Sequence, residues 1–148
     1  MRINDSIEQP EFENAQTKAL VNLMFTYHQM MDRTRRAFKQ FGITRQQYNV
    51  LRILKGRREA ATCGEVKRVM LDKNPDLSRL SDRLVAKGLI QRVVNENNRR
   101  EIELSITQSG LELLDKIKPV LQENSQFLKA LTDQEAEQLS DLLDKLRQ

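Results

Sequence analysis

The side chains best suited to chemistry lie in two polar groups in the middle of the chain. The first group comprises Asn74, Asp76, Ser78, Arg79, Asp82 and Arg83, and the second comprises Asn98, Arg99 and Arg100. Arginine forms paired, charge-assisted hydrogen bonds with phosphates and guanine edges, while asparagine and serine supply single donors and acceptors. These residue types therefore predict noncovalent recognition of a polyanion.

Groups for covalent catalysis are scarce in this sequence. His28 and Cys63 are the only histidine and the only cysteine, and neither has an obvious catalytic partner. No zinc-protease, Walker or dinucleotide-binding pattern is present. We therefore predict no enzyme activity, no catalytic residue, no metal site and no cofactor. Cys63 is expected to be a small buried residue rather than a redox sensor.

The basic residues are concentrated in the same middle region. Residues 45–100 hold 14 Lys or Arg against 6 Asp or Glu, a net of +8, in a chain whose net charge is +4. A basic centre between acidic ends indicates an anion-binding surface, with nucleic acid as the usual partner and a solvated face without a ligand as the alternative. No apolar run approaches the length of a membrane span, and a single cysteine fits the cytoplasm.

Helical spacing of apolar residues predicts the elements that position the two polar groups. A long helix runs from about Glu11 to Lys39 and ends before Gly42. Three shorter helices follow, and capping boxes mark the first two starts. The third short helix spans Pro75–Lys87 with Asn74 as its N-cap. The two capping boxes pair Thr44 with Gln47 and Thr62 with Glu65.

The outward side of the Pro75–Lys87 helix carries most of the first polar group. Arg79 suits a guanine edge there, and Asn74 and Ser78 suit bases or phosphates. Asp82 has two alternatives: it accepts a hydrogen bond from a cytosine, or it orients Arg79 or Arg83. The side predicted to be buried contains Leu77, Leu80 and Leu84.

The spacing changes after this helix to that of a β-hairpin. Residues 89–94 are rich in β-branched types, and apolar and polar residues alternate over 101–106. The turn between the two runs is charged and carries the Arg99–Arg100 pair, which would project into solvent. Such a wing places arginine beside the minor groove of DNA, and a solubilising turn is the alternative.

Two more helices are predicted after the hairpin. Thr107 begins a long one that reaches about Leu131, with Pro119 inside it and expected to kink it. Thr132 and Glu135 form the capping box of the last helix. The predicted fold is mainly α with a small β-hairpin wing: a winged helix-turn-helix with long dimerisation helices from both chain ends.

The segment from Thr44 to Gly110 resembles the MarR family of transcriptional regulators. Residues 80–92, LSDRLVAKGLIQR, resemble its recognition helix and first wing strand, and Asn98-Arg99-Arg100 with Ile106-Thr107 resembles its wing motif. The long flanking helices also lie where the family has its dimerisation helices. The resemblance implies that Arg100 enters the minor groove. Asn98 stands where the family has an Asp that orients this arginine, so the orienting group is uncharged here.

We therefore expect a sequence-specific transcriptional regulator, a repressor, that binds a palindromic operator in double-stranded DNA as a homodimer. The resemblance also implies a small aromatic effector, bound between the dimerisation helices and the DNA-binding lobe. The expected organisation is a flexible tail (1–10), a dimerisation helix (11–42), the winged lobe (43–107) and C-terminal dimerisation helices (108–148). The alternative is a winged-helix architectural or protein-interaction module without effector control.

Overall fold

The structure, a computed structural model, describes residues 2–8, 11–57, 59–71, 76–94 and 102–147. Within these ranges the chain forms seven α-helices, one 3-10 helix and three short strands, which confirms the predicted fold class. The helices are α1 (Ile3–Ser6), α2 (Ala15–Lys39), α3 (Arg45–Lys55), α4 (Cys63–Val69), α5 (Leu77–Ala86), α6 (Gln108–Asn124) and α7 (Asp133–Lys145), with the 3-10 helix at Gln126–Ala130. The strands are β1 (Ala61–Thr62), β2 (Ile90–Val94) and β3 (Ile102–Ile106).

Threonine caps set the starts of four helices, as predicted. Each hydroxyl accepts a hydrogen bond from the backbone N–H three residues later, a donor that the first helical turn leaves unsatisfied. At α3, α4 and α7 a Gln or Glu side chain completes a capping box. The capping residues are Thr44, Thr62, Thr107 and Thr132. Gly42 and Gly88 follow α2 and α5 with φ angles of 66° and 67°, a region that glycine adopts without steric cost.

The N-terminal region contains a helical turn that the sequence does not predict. Residues 1–10 are expected to be a flexible tail, yet 3–6 form α1 and Ile3 is buried. The next helix starts later than expected. Asn14 caps α2, its Oδ1 accepting from the Thr17 N–H at 2.7 Å, so this helix begins at Ala15 rather than near Glu11.

The start of α5 also differs from its predicted position. Asp76 is the N-cap, and its Oδ1 accepts from the Arg79 N–H at 3.2 Å. The predicted N-cap Asn74 and first helical residue Pro75 are therefore wrong as the helix start; both lie outside the described residues. A short acidic side chain two positions later caps a helix as well as Asn does, which is why spacing alone cannot choose between them.

The three strands form one antiparallel sheet in the order β1–β3–β2. β2 and β3 are the arms of the predicted hairpin. Directly opposed residues in a ladder lie on the same face of the sheet. The opposed pairs on one face are Ile90 with Ile106, Arg92 with Leu104, and Val94 with Ile102. β1 adds a third strand through Ala61, opposite Leu104; its two residues are too few to show alternation in the sequence.

The helix predicted from Thr107 to Leu131 is divided in two. α6 ends at Asn124, and after Ser125 the chain continues as the 3-10 helix. Short polar side chains compete with the helix for backbone hydrogen bonds, and the Ser125 hydroxyl donates to the carbonyl three residues earlier at 3.0 Å. Pro119 lies inside α6, as predicted.

One hydrophobic core joins the middle of the chain to both long helices. Phe38 from the end of α2 and Ile117 from α6 are both fully or almost fully buried in it. The α5 members are the predicted Leu77, Leu80 and Leu84. Val66 on α4 and Met70, the residue after that helix, also belong to the core, whereas Val69, which helical spacing from Val66 would place inward, is 49% exposed. Val69 is the last residue of α4, and the backbone of Met70 is already extended.

A second set of apolar side chains is exposed on the single chain. It forms the apolar outer surface, defined by Leu20, Leu23, Met24 and Tyr27 on α2, Phe127, Leu128 and Leu131 at the 3-10 helix, and Leu139, Leu142 and Leu146 at α7. None of the residues of α7 is buried. Among the described residues, no helix combines the length and the apolar character needed to span a bilayer.

Candidate nucleic-acid interface

The outward side of α5 carries the polar group that the sequence singles out. Its exposed residues, with the capping residue, are Asp76, Ser78, Arg79, Asp82 and Arg83. The leucines that face the core lie on the opposite side of the same helix. α5 and its cap therefore expose two guanidinium groups, a hydroxyl and two carboxylates. The opposite side of the helix is packed in the hydrophobic core.

Asp76 holds Arg79 at the first turn of α5. One carboxylate oxygen accepts from the Arg79 backbone N–H at 3.2 Å, and the other lies 3.3 Å from Arg79 Nε. The Arg79 side chain is still 80% exposed. Guanidinium has five N–H donors, so several stay available to another partner after this contact. Asp76 thus caps α5 and also holds the Arg79 guanidinium at the first turn.

Asp82 pairs with Arg92 of β2. The Arg92 guanidinium donates to Asp82 Oδ1, which links α5 to β2. The sequence offered two roles for Asp82. The first, orienting Arg79 or Arg83, is wrong, because the arginine that Asp82 contacts is Arg92. The physical reason is that Arg92 shares a face of the hairpin with the buried Ile90 and Leu104, and from there its guanidinium reaches Asp82 on α5. The cytosine contact stays a prediction.

Two hydrogen bonds attach the C-terminal end of α5 to the long helices. Lys87 Nζ donates to the carbonyl of Gly42, the glycine that follows α2. The Thr107 hydroxyl donates to the carbonyl of Gly88 at 2.7 Å, immediately before α6 begins. The turn after α5 is therefore tied to the glycine that follows α2 and to the residue that caps α6.

A carboxylate with several donors fixes the start of α4. Glu65 accepts hydrogen bonds from the Thr62 N–H at 2.9 Å, the Thr62 hydroxyl at 3.1 Å and Arg57 Nη1 at 3.1 Å. The bond from the Thr62 backbone, followed by the one from Arg57, lowers the pKa of Glu65 below its ordinary value. Cys63, the first residue of α4, is exposed, so the expectation that it is buried is wrong.

Four residues of the predicted interface lie outside the described residues: Asn74, Asn98, Arg99 and Arg100. The two wing strands flank the last three of them in the chain, since β2 ends at Val94 and β3 begins at Ile102. The predicted contacts of these four residues with bases, phosphates and the minor groove therefore stay predictions.

Sequence reasoning missed three side chains that shape this site. The position of Arg92 could have been predicted, because it lies two residues after Ile90 on the same strand and therefore on the same face as that buried residue. The sequence pattern suggests only that Lys87 is a solvent-exposed lysine at the end of a helix. Its hydrogen bond to the Gly42 carbonyl depends on the tertiary fold, which the local sequence does not reveal. Ser81 is 1% exposed and donates its hydroxyl to the Leu77 carbonyl at 2.7 Å, which satisfies it within its own helix.

Comparison with known proteins identifies the lobe that holds this site. A family model described as the MarR family matches residues 43–102. A solved MarR transcription factor from Planctomyces limnophilus is 32% identical, over 90% of this chain and 98% of that chain, with a TM-score of 0.68. The chain belongs to the MarR family. No curated relative matches this MarR-family chain in sequence.

Solved structures similar to this MarR-family chain include complexes with DNA. The S. aureus MepR–DNA complex is 25% identical over 92% of this chain and 97% of that chain, with a TM-score of 0.76. A mutant of E. coli MarR in complex with operator DNA is 28% identical over 84% and 89%, with a TM-score of 0.72. The chain is thus a DNA-binding transcription regulator with a winged-helix fold, from a family of regulators rather than enzymes.

Proposed function

We propose that this regulator is a repressor whose homodimer binds a palindromic operator with one recognition helix per half-site. The observation that carries the proposal is the arrangement of α5, which exposes Ser78, Arg79 and Arg83 while its back and its C-terminal end are anchored. A helix held in this way enters the major groove at a set angle and with little ordering cost. A dimer bound across both half-sites would exclude polymerase from an overlapping promoter.

Each side chain has a proposed part in this complex. Arg79, oriented by Asp76, reads a guanine edge through its remaining N–H donors. Ser78 and Arg83 contact phosphates or neighbouring bases. From the sequence and the family resemblance, Asn74 joins the recognition contacts, Arg99 and Arg100 form the wing contact in the minor groove, and the amide of Asn98 orients Arg100.

The second copy of the chain would cover the apolar outer surface. Leu20, Leu23, Met24 and Tyr27 on α2 are each at least 40% exposed in one copy, and Leu142 on α7 is 61% exposed. Soluble monomers rarely expose apolar patches of this extent. A two-fold dimer with one α5 per subunit requires half-sites about one helical turn apart, or ~10 bp between centres.

A small aromatic effector would bind between the long helices and the lobe. A cavity of about 470 Å³ lies there, within the size range of small-molecule sites. Met30 and Tyr48 contribute to its lining, with Leu121 of α6. The Arg33 guanidinium lies over the Phe127 ring at 5.4 Å and would supply a positive charge for a phenolate or carboxylate. Its walls come from both helices that hold the end of α5, so an occupant could alter the position of that helix.

The experiment is a titration of wild type, Arg79→Ala and Arg100→Ala on a selected operator and on a scrambled duplex at several salt concentrations. We expect Arg79→Ala to cost ~1–3 kcal/mol on the operator and little on scrambled DNA, because a base contact carries sequence information. Arg100→Ala should weaken binding to both and reduce the log–log salt slope by about one.

Lys116→Gln is the control for loss of one positive charge, since Lys116 is exposed on α6 and outside the proposed interface. It should leave both affinities close to those of wild type. An equal loss on both duplexes for Arg79→Ala would show that Arg79 does not read a base. A wild type that binds the two duplexes equally would contradict sequence-specific regulation.

A further inference from the structure

Arg92 shares one face of the hairpin with two residues of the core. Ile90, two residues earlier on β2, is 2% exposed, and Leu104, directly opposite Arg92 on β3, is 1% exposed. Residues two apart on a strand and residues opposed across a ladder share one face. Farther along that face, Val94 and Ile102 are exposed, so Arg92 lies where the sheet passes the edge of the core.

The guanidinium of Arg92, at the edge of the apolar core, has a charged partner on α5. The Arg92 guanidinium donates to Asp82 Oδ1, and the two side chains are 47% and 55% exposed. Pairs as exposed as this contribute little to folding stability. The two residues nevertheless join two DNA-facing elements, the outward side of the recognition helix and the first strand of the wing.

We propose that Arg92 is a positioning residue for DNA binding, which neutralises the Asp82 carboxylate and holds the wing strand in a set orientation to α5. This inference rests on the proposed function. Without Arg92, an unpaired carboxylate on the outward side of α5 would repel the phosphates of any duplex. With Arg92, Asp82 is a structural acceptor for the wing and does not read a cytosine.

A double-mutant cycle separates this role from a simple phosphate contact. Wild type, Arg92→Gln, Asp82→Asn and the double variant are titrated on the selected operator and on scrambled DNA at several salt concentrations, with Lys116→Gln as the charge control. Arg92→Gln should weaken binding to both duplexes about tenfold or more, because a cation is lost and a carboxylate is left unpaired. The double variant should recover at least about threefold of that loss, since the repelling carboxylate is gone.

The single variant Asp82→Asn gives the sharpest readout. Release of Arg92 from its partner should raise affinity for scrambled DNA by about two- to fivefold and steepen its salt dependence, while discrimination between operator and scrambled DNA falls. Thermal melting of all four proteins should agree within a few degrees, because the pair is exposed.

Three results would overturn the inference. Strictly additive effects of the two substitutions would show that Arg92 contacts phosphate independently of Asp82. A loss of affinity confined to the operator for Asp82→Asn would make Asp82 a base reader. A large fall in melting temperature for Arg92→Gln would make the pair a folding element. If wild type itself fails to prefer the operator, the proposed function fails first, which is a distinct outcome.

Discussion

The Thr107 hydroxyl donates a hydrogen bond to the Gly88 carbonyl at 2.7 Å and so joins the start of α6 to the end of α5. The same hydroxyl accepts from the Gly110 N–H at 3.2 Å, which makes Thr107 the N-cap of α6. The Thr107 N–H donates to the Leu89 carbonyl at 3.1 Å. Thr107 therefore connects the start of α6 to the segment that follows α5.

Thr107→Val should remove both hydroxyl contacts while keeping the shape of the side chain. We expect a loss of about 1–3 kcal/mol in the free energy of unfolding, since an N-cap is lost and the Gly88 carbonyl loses its donor. DNA affinity should also fall, because the end of α5 is less firmly held. Urea denaturation and operator titration measure the two effects. Thr107→Ser, which retains the hydroxyl, should lie close to wild type; if it is as unstable as Thr107→Val, the bond to Gly88 is not the cause.

Gly110→Ala should disrupt the same junction by steric overlap. A Cβ at Gly110 would lie 2.2 Å from the Leu89 carbonyl oxygen and 2.7 Å from Ile106 Cγ1, so backbone must move. Overpacking of this kind costs about 1–3 kcal/mol. Gly64→Ala in α4 is the matched control, because its Cβ would meet nothing nearer than Thr62 Oγ1 at 3.8 Å. Equal melting temperatures for the two variants would contradict the predicted close approach of α6 to the sheet.

The capping carboxylate of Glu65 should make stability depend on acid. Hydrogen bonds from Thr62 and then Arg57 lower its pKa in the folded state below the unfolded value. The stabilisation is therefore complete above the ordinary glutamate pKa and is lost as the pH falls through the lowered folded value. Glu65→Gln should flatten this part of the profile of unfolding free energy against pH, measured by urea denaturation.

Part of the acid dependence should survive that substitution, because the pKa values of Asp115 and Glu135 are also lowered by hydrogen bonds, from Lys55 and Thr132 respectively. Glu137→Gln removes an exposed carboxyl from α7 and serves as the control. Parallel pH profiles for wild type and Glu65→Gln would show that the Thr62–Glu65–Arg57 contacts do not stabilise the folded state.

The dimer should depend on the leucines of α7. Leu142 is 61% exposed in the single chain, and Leu142→Glu would place a charge in the proposed interface. Light scattering at micromolar concentration should give about twice the chain mass for wild type and a lower mass for this variant. Gln134→Glu adds the same charge to the same helix, away from the side that carries Leu139, Leu142 and Leu146, and should leave the mass unchanged. A wild type with the mass of one chain would contradict the dimer.

Local signals in the sequence predicted most of the helices because their energetics are local. The capping boxes at Thr44, Thr62 and Thr132 each involve residues three apart, so one segment contains both partners. The burial of Leu77, Leu80 and Leu84 follows from helical spacing alone. The family resemblance added the assignment of α5 and the hairpin to a DNA-binding lobe.

The errors fall where the outcome depends on distant or competing contacts. Asp76 and Asn74 are both good caps by residue type, so the sequence alone does not choose between them. The long predicted helix ends at Asn124, where the Ser125 hydroxyl competes for a backbone hydrogen bond. The apolar spacing continues past this point, so it gave no sign of the break. The partner of Asp82 lies on another element, so helix geometry could suggest only neighbours on α5.

The central claim is that a two-fold dimer of this chain reads a symmetric DNA site. Selection of bound fragments from a random double-stranded library, followed by sequencing, tests it most directly. We predict enrichment of one inverted repeat whose half-site centres are ~10 bp apart. Enrichment of a site without two-fold symmetry, or binding with no enriched sequence at all, would contradict the claim.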